Sequence, residues 1–147
     1  MNTPEDIART ATVHWEGDVA RGKGTIETES GLVTAGYSFG TRFSSDPGTN
    51  PEELLAASHA SCFTMALSAG LTRAGHPPSS IDTQARVHLH RVGAGFEISR
   101  IELETTVVAP GVDQAAFEPL AAEAKNGCPI SKALKAVEIT LAATLKA

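Results

Sequence analysis

Cysteine is scarce in this chain: 147 residues contain two, Cys62 and Cys128. A far-separated pair in a reducing compartment is more often catalytic, metal-binding or inert than a permanent staple. Basic charge is also short, with 12 lysines and arginines against 17 acidic residues and a formal charge of −5. Such a balance sets up no field to attract phosphates or an anionic membrane, so neither nucleic acid nor a membrane is an expected partner. No run of about 18 apolar residues occurs. Glu5, Asp6, Glu16 and Asp18 interrupt the first thirty residues and exclude the apolar stretch of a signal peptide. These absences point to the cytoplasm. Internal repeats and low-complexity segments are lacking too.

What is present is an ordinary globular composition, 41% hydrophobic and 20% charged, in a length suited to a single domain, residues 1–147, that buries roughly 70% of its unfolded surface. Thr12 to Ile26 reads as two strands about a turn at Arg21-Gly22-Lys23-Gly24. A lone Gly-x-Gly without a following helical pattern is weak evidence for a phosphate loop, and a hairpin explains it better. A third extended piece is expected from about Thr34 to Phe43, before Ser44-Ser45-Asp46-Pro47-Gly48 breaks the chain. Asn50, Pro51 and Glu53 form a helix start. The helix that follows, to about Gly75, is small or apolar on nearly every face and belongs in the middle of a protein. Ile81–Val92 and Phe96–Val108 alternate as a long hairpin about Gly93-Ala94-Gly95. Asp113 caps a helix over about Gln114 to Lys125, Ile130 to Leu134 form a further helical turn, and Val137 to Leu145 make a last strand. The class is α+β.

The cysteines have opposite local settings. Cys62 lies mid-helix among apolar neighbours, which raises a thiol's pKa and leaves it inert. Cys128, between Gly127 and Pro129, falls at or just before a helix N-terminus, where unpaired amides favour a thiolate. The surrounding segments, Thr49-Asn50-Pro51-Glu52-Glu53-Leu54-Leu55-Ala56-Ala57 running into Ala60-Ser61-Cys62-Phe63, and Gly127-Cys128-Pro129-Ile130-Ser131, resemble the two signatures of the OsmC/Ohr family. His14-Trp15-Glu16-Gly17-Asp18 and Arg21-Gly22-Lys23-Gly24-Thr25 resemble the OsmC branch more than the Ohr branch.

That resemblance implies an intertwined homodimer of an OsmC-like fold, with antiparallel sheets wrapped around central helices. It implies a peroxidase that reduces organic hydroperoxides without metal, haem or flavin, in defence against oxidative and osmotic stress, with Cys62 attacking and Cys128 resolving. A lipoylated protein or another dithiol would be the reductant. Carried over by position, the glutamate is Glu52, after Pro51. Arg42, in Gly40-Thr41-Arg42-Phe43, is the arginine the OsmC branch favours, while Arg21 stays open. Full ionisation of a thiol of ordinary pKa gains at most roughly thirtyfold in rate, so an arginine must also position the peroxide and stabilise the leaving alkoxide. Glu52 and Cys62 are separated by about 15 Å of helix, which suggests that Glu52 serves the site from a second subunit. Phe39, Phe43, Phe63 and Met65 are candidates to line the approach for apolar peroxide tails.

The sequence also offers residues for other chemistry. His59, three residues before Cys62, suggests a Cys-His hydrolase or a metal site with Cys128, although packing explains a histidine there better. His88 and His90 share one side of a strand without a third ligand, and Asp82, Glu97, Glu102 and Glu104 form no tight carboxylate pair. Ser61 and Ser131 lack a strand-to-helix elbow and read as small packing residues near the cysteines. From another class, a non-catalytic protein holding an apolar ligand would leave both thiols slow and ordinary in titration.

Overall fold

The computed structural model describes residues 5–146, and these fall into two compact units that divide between Pro51 and Glu52. The first holds an antiparallel sheet of β1 (Ala11–Glu16), β2 (Lys23–Thr28) and β3 (Thr34–Tyr37), in that order. At the β1–β2 turn the Asp18 carboxylate accepts from the Arg21 amide at 2.8 Å. Gly24 is required by packing: a Cβ there would lie 2.6 Å from both the His14 carbonyl oxygen and the Tyr37 ring. Its missing side chain lets Trp15 and Tyr37 approach to 5.2 Å between ring centroids. The glycines thus serve a hairpin.

The extended piece expected to reach Phe43 stops at Tyr37 and becomes a short helix, α1 (Phe39–Phe43). Ser38 and Thr41 form a reciprocal capping box, each side chain accepting from the other's backbone N–H. This local satisfaction of amides overrides the strand propensity of the aromatic residues. The Asn50 side-chain amide donates to the Thr41 carbonyl at 2.9 Å and ties the following loop to α1.

The second unit holds α2 (Pro51–Arg73) from Glu52 onward, then β4 (Ser80–Val92), β5 (Gly95–Val108), α3 (Gln114–Gly127), α4 (Pro129–Ala133) and β6 (Glu138–Lys146). β4 and β5 form the expected antiparallel hairpin, with an irregularity at His88/Leu89. β6 differs from the antiparallel expectation, since it pairs parallel to β5. The α3–α4 crossover returns the chain to the same end of the sheet, which a tight turn cannot do.

His59, Phe63, Leu67 and Leu71 recur every fourth residue of α2 and are fully buried. The three apolar members pack in one core with Leu103 and Val107 of β5 and with Phe117, Ala121 and Ala124 of α3. The opposite stripe, Ala57, Ser61, Met65 and Ala69, is exposed in the chain taken alone. The helix is long and apolar enough to cross a membrane by length and composition, a property that core helices share. Polar bonds fix its register against the sheet: the Thr64 hydroxyl donates to Thr83 at 2.8 Å, Thr83 meets Thr105 at 2.9 Å, and Thr105 donates to the Asp82 carbonyl at 3.1 Å. Buried Thr105 is thereby satisfied, as a polar group in a core must be.

Candidate active site

Cys128 occupies the joint between two helices. Its backbone N–H donates to the Ala124 carbonyl at 3.1 Å and closes α3, while its own extended conformation, followed by Pro129, opens α4. The sulfur accepts from the Ser131 amide at 3.4 Å. Cys128 is nevertheless almost fully buried, at 1% exposure, so whatever attacks or leaves it must already be inside the protein.

Cys62 supplies that neighbour. It projects from the middle of α2, half-buried, and packs against the core cluster that contains Cys128; both cysteines are free thiols. Burial pushes the Cys62 thiol above its ordinary range, the adjacent Cys128 thiol pushes it further, and a hydrogen bond from the Ile130 amide partly offsets both. One helix and one interhelical joint, distant in sequence, therefore bring two thiols together.

A third group completes this cluster. His59 lies one turn before Cys62, and its Nε2 is 2.7 Å from the Ser131 hydroxyl, which in turn accepts from the Cys128 thiol at 3.1 Å. Burial holds the imidazole below its ordinary pKa and hence neutral. Sequence reasoning placed His59 and Ser131 in the packing near the cysteines, and they are indeed buried there. What it missed was the bond between them. The available signal was the symmetry of spacing, with the histidine three residues before one cysteine and the serine three after the other.

Among the charged candidates, Glu52 stands in the first turn of α2, in the second unit. Arg42 stands in the last turn of α1, in the first unit, with its guanidinium 5.5 Å from the centre of the Phe43 ring. There it helps line a cleft of about 280 Å³, mostly apolar, with Trp15, Val19, Tyr37, Phe39 and Phe43. Arg21 instead sits on the hairpin turn, 89% exposed and 3.4 Å from Asp18. Of the four residues proposed from sequence to line an approach, Phe39 and Phe43 thus border a cleft. Phe63 is a core residue with no exposed surface, and Met65 is 76% exposed on the outer stripe of α2.

The OsmC-like protein family model matches residues 44–142, a stretch that contains both cysteines. The chain belongs to the OsmC family. It is 52% identical to peroxiredoxin OsmC of Escherichia coli over 141 residues, covering 95% of this chain and 98% of that protein. It is 32% identical to the organic hydroperoxide resistance protein of Xanthomonas axonopodis pv. citri over 96 residues, 64% of this chain and 66% of that one. Among solved structures, the organic hydroperoxide resistance protein OsmC of Legionella pneumophila superposes with a TM-score of 0.73 at 25% identity, over 94% of this chain and 97% of that one. The resemblance drawn from the two cysteine segments and the α+β class are both borne out.

Among the described residues, no three His, Cys, Asp or Glu side chains come together as a metal-binding group. His88 is engaged by Glu102 at 2.9 Å, and Arg86 at 3.0 Å and Arg100 at 3.4 Å share the same carboxylate. The hydrogen bonds from His88 and Arg86 hold Glu102 down at about 2. That cluster is structural, a cross-strand clasp on the sheet surface.

Proposed function

We propose that this single OsmC-like domain is a cysteine-based peroxidase that reduces organic hydroperoxides to alcohols, with Cys62 as nucleophile and Cys128 as resolving thiol. The observation that carries the reading is the convergence of the two free thiols on one core, Cys128 within the buried cluster and Cys62 packed against it. The Cys62 thiolate attacks the outer peroxide oxygen, the O–O bond breaks with its pair on the alkoxide, and Cys62 is left as a sulfenic acid. Cys128 then displaces that oxygen as water and closes a disulfide. A dithiol such as a lipoylated protein reopens it by exchange. The names peroxiredoxin and organic hydroperoxide resistance protein, borne by relatives, support this reading.

Burial works against ionisation of Cys62, so a positive group is needed to offset it and to hold the departing alkoxide. Arg42 is assigned both tasks, with Glu52 orienting the guanidinium by a charge-assisted pair. The apolar lining beside Arg42 supports a preference for peroxides with hydrocarbon tails over hydrogen peroxide. On this reading the protein is a cytoplasmic homodimer, and the exposed stripe Ala57, Ser61, Met65 and Ala69 supports a pairing of α2 with its copy in which Glu52 serves the partner's site.

Single-turnover consumption of cumene hydroperoxide by reduced protein tests the assignment. Cys62→Ser should consume none. Cys128→Ser should consume one equivalent and leave a sulfenic acid on Cys62, visible by mass spectrometry after trapping. An active Cys62→Ser protein, or sulfenic acid on Cys128, would reverse the roles.

A further inference from the structure

The cysteine pair explains attack and disulfide closure but leaves open how a thiol as buried as Cys128 loses its proton when it resolves Cys62. The structure holds a continuous hydrogen-bonded chain at that sulfur. Its links are the Cys128 thiol to the Ser131 hydroxyl at 3.1 Å and that hydroxyl to His59 Nε2 at 2.7 Å. All three residues are buried, Cys128 at 1% exposure, Ser131 at 4% and His59 at 0%. The far end is unusual. His59 Nδ1 is, among the described residues, the one buried side-chain nitrogen or oxygen without a hydrogen-bond partner. An imidazole held for packing alone would be costly there, since an orphaned polar atom in a core costs about 1–3 kcal/mol.

The geometry points to Ser131 and His59 as the proton relay of the resolving step, a role that rests on the peroxidase reading above. With the hydroxyl accepting from the thiol, its own proton lies toward Nε2, and a shift along both bonds moves one proton from Cys128 to His59. The resulting Cys128 thiolate then accepts from the Ser131 hydroxyl as well as from its amide at 3.4 Å. Its lone pair forms the S–S bond to the Cys62 sulfenic sulfur, and the S–O bond breaks with its pair on oxygen. The departing hydroxide is protonated and His59 gives up its proton. The balance is sulfenic acid plus thiol giving disulfide plus water. Burial disfavours the imidazolium, so the proton is passed on rather than stored. Both residues are positioning and relay groups, because neither contacts the peroxide in this scheme.

Attack on the peroxide does not use the relay, so the two steps should separate. Single turnovers with cumene hydroperoxide would be followed for peroxide loss and, separately, for disulfide closure by loss of trappable sulfenic acid. Ser131→Ala and His59→Gln are expected to close the disulfide slower by on the order of 10²-fold, the lower end of acid–base catalysis, a loss far larger than any change in their rate of peroxide consumption. Ser131→Thr, which keeps the hydroxyl, should restore closure. Alanine at position 131 removes only one oxygen atom and is the variant expected to fold even if His59→Gln does not. Wild-type closure rates in Ser131→Ala would overturn the relay, as would equal loss of both steps or failure of threonine to rescue. A wild-type protein that consumes no hydroperoxide would instead remove the peroxidase reading and the relay with it.

Discussion

At the scale of single residues, the division of labour rests on where charge can be held. The Cys62 thiol is pushed up first by burial and next by Cys128, and only the Ile130 amide pulls the other way. An arginine that offsets this should reveal itself in the thiol. Arg42→Met is therefore expected to raise the pKa of Cys62, followed by thiolate absorbance, and to lower kcat/KM for cumene hydroperoxide by on the order of 10²–10³, as loss of an oxyanion donor does. Arg21→Met should change neither, since that side chain pairs with Asp18 on an exposed turn. The reverse result would move the role to Arg21. Glu102 offers a second residue-scale test, remote from the cysteines. Its folded pKa of about 2 lies below the ordinary 4.5, so the ionised form is favoured by folding. The stability it contributes is present above the ordinary value and is lost as pH falls toward 2. Wild type should melt above Glu102→Gln at neutral pH, and the gap should shrink below about pH 4.5; a gap constant down to pH 2.5 would contradict the clasp.

At the scale of elements, α2 does two things with one sequence. Its every-fourth-residue stripe of His59, Phe63, Leu67 and Leu71 enters the core, while Ala57, Ser61, Met65 and Ala69 form the outer face. Apolar residues on all sides made the whole helix look central, because composition reports burial by any neighbour without saying which chain supplies it. Leu67→Ala should cost about 2–5 kcal/mol in urea unfolding, the range for a fully buried leucine. Leu32→Ala, at 89% exposure, should cost little and serves as the control. Equal effects would mean that the stripe at Leu67 is not the packed one. α1 shows the opposite lesson. Two of its five residues, Phe39 and Phe43, carry aromatic side chains suited to a strand, yet the Ser38–Thr41 capping box holds the segment helical.

At the scale of the whole molecule, the exposed face of α2 supports the dimer proposal. Sedimentation at micromolar concentration should give about twice the 15.3 kDa chain mass. A monomer would remove the argument that Glu52 acts from a second subunit. The chain's own core, by contrast, closes between α2, α3 and β5 without help.

Much was legible in the order of residues. The long hairpin, the Asp113 cap and the break at Cys128-Pro129 follow from alternation, capping chemistry and proline, all of which act within a few residues. The same is true of the two cysteine segments that led to the family. Tertiary structure alone decided the parallel pairing of β6 and the meeting of Cys62 with Cys128. It likewise decided the bond from His59 to Ser131. Each joins groups far apart along the chain, and no local preference encodes which distant partner a buried side chain will meet. That choice is made by the packing of α2 and α3 in one core, where a polar atom must find its partner among the groups the fold delivers.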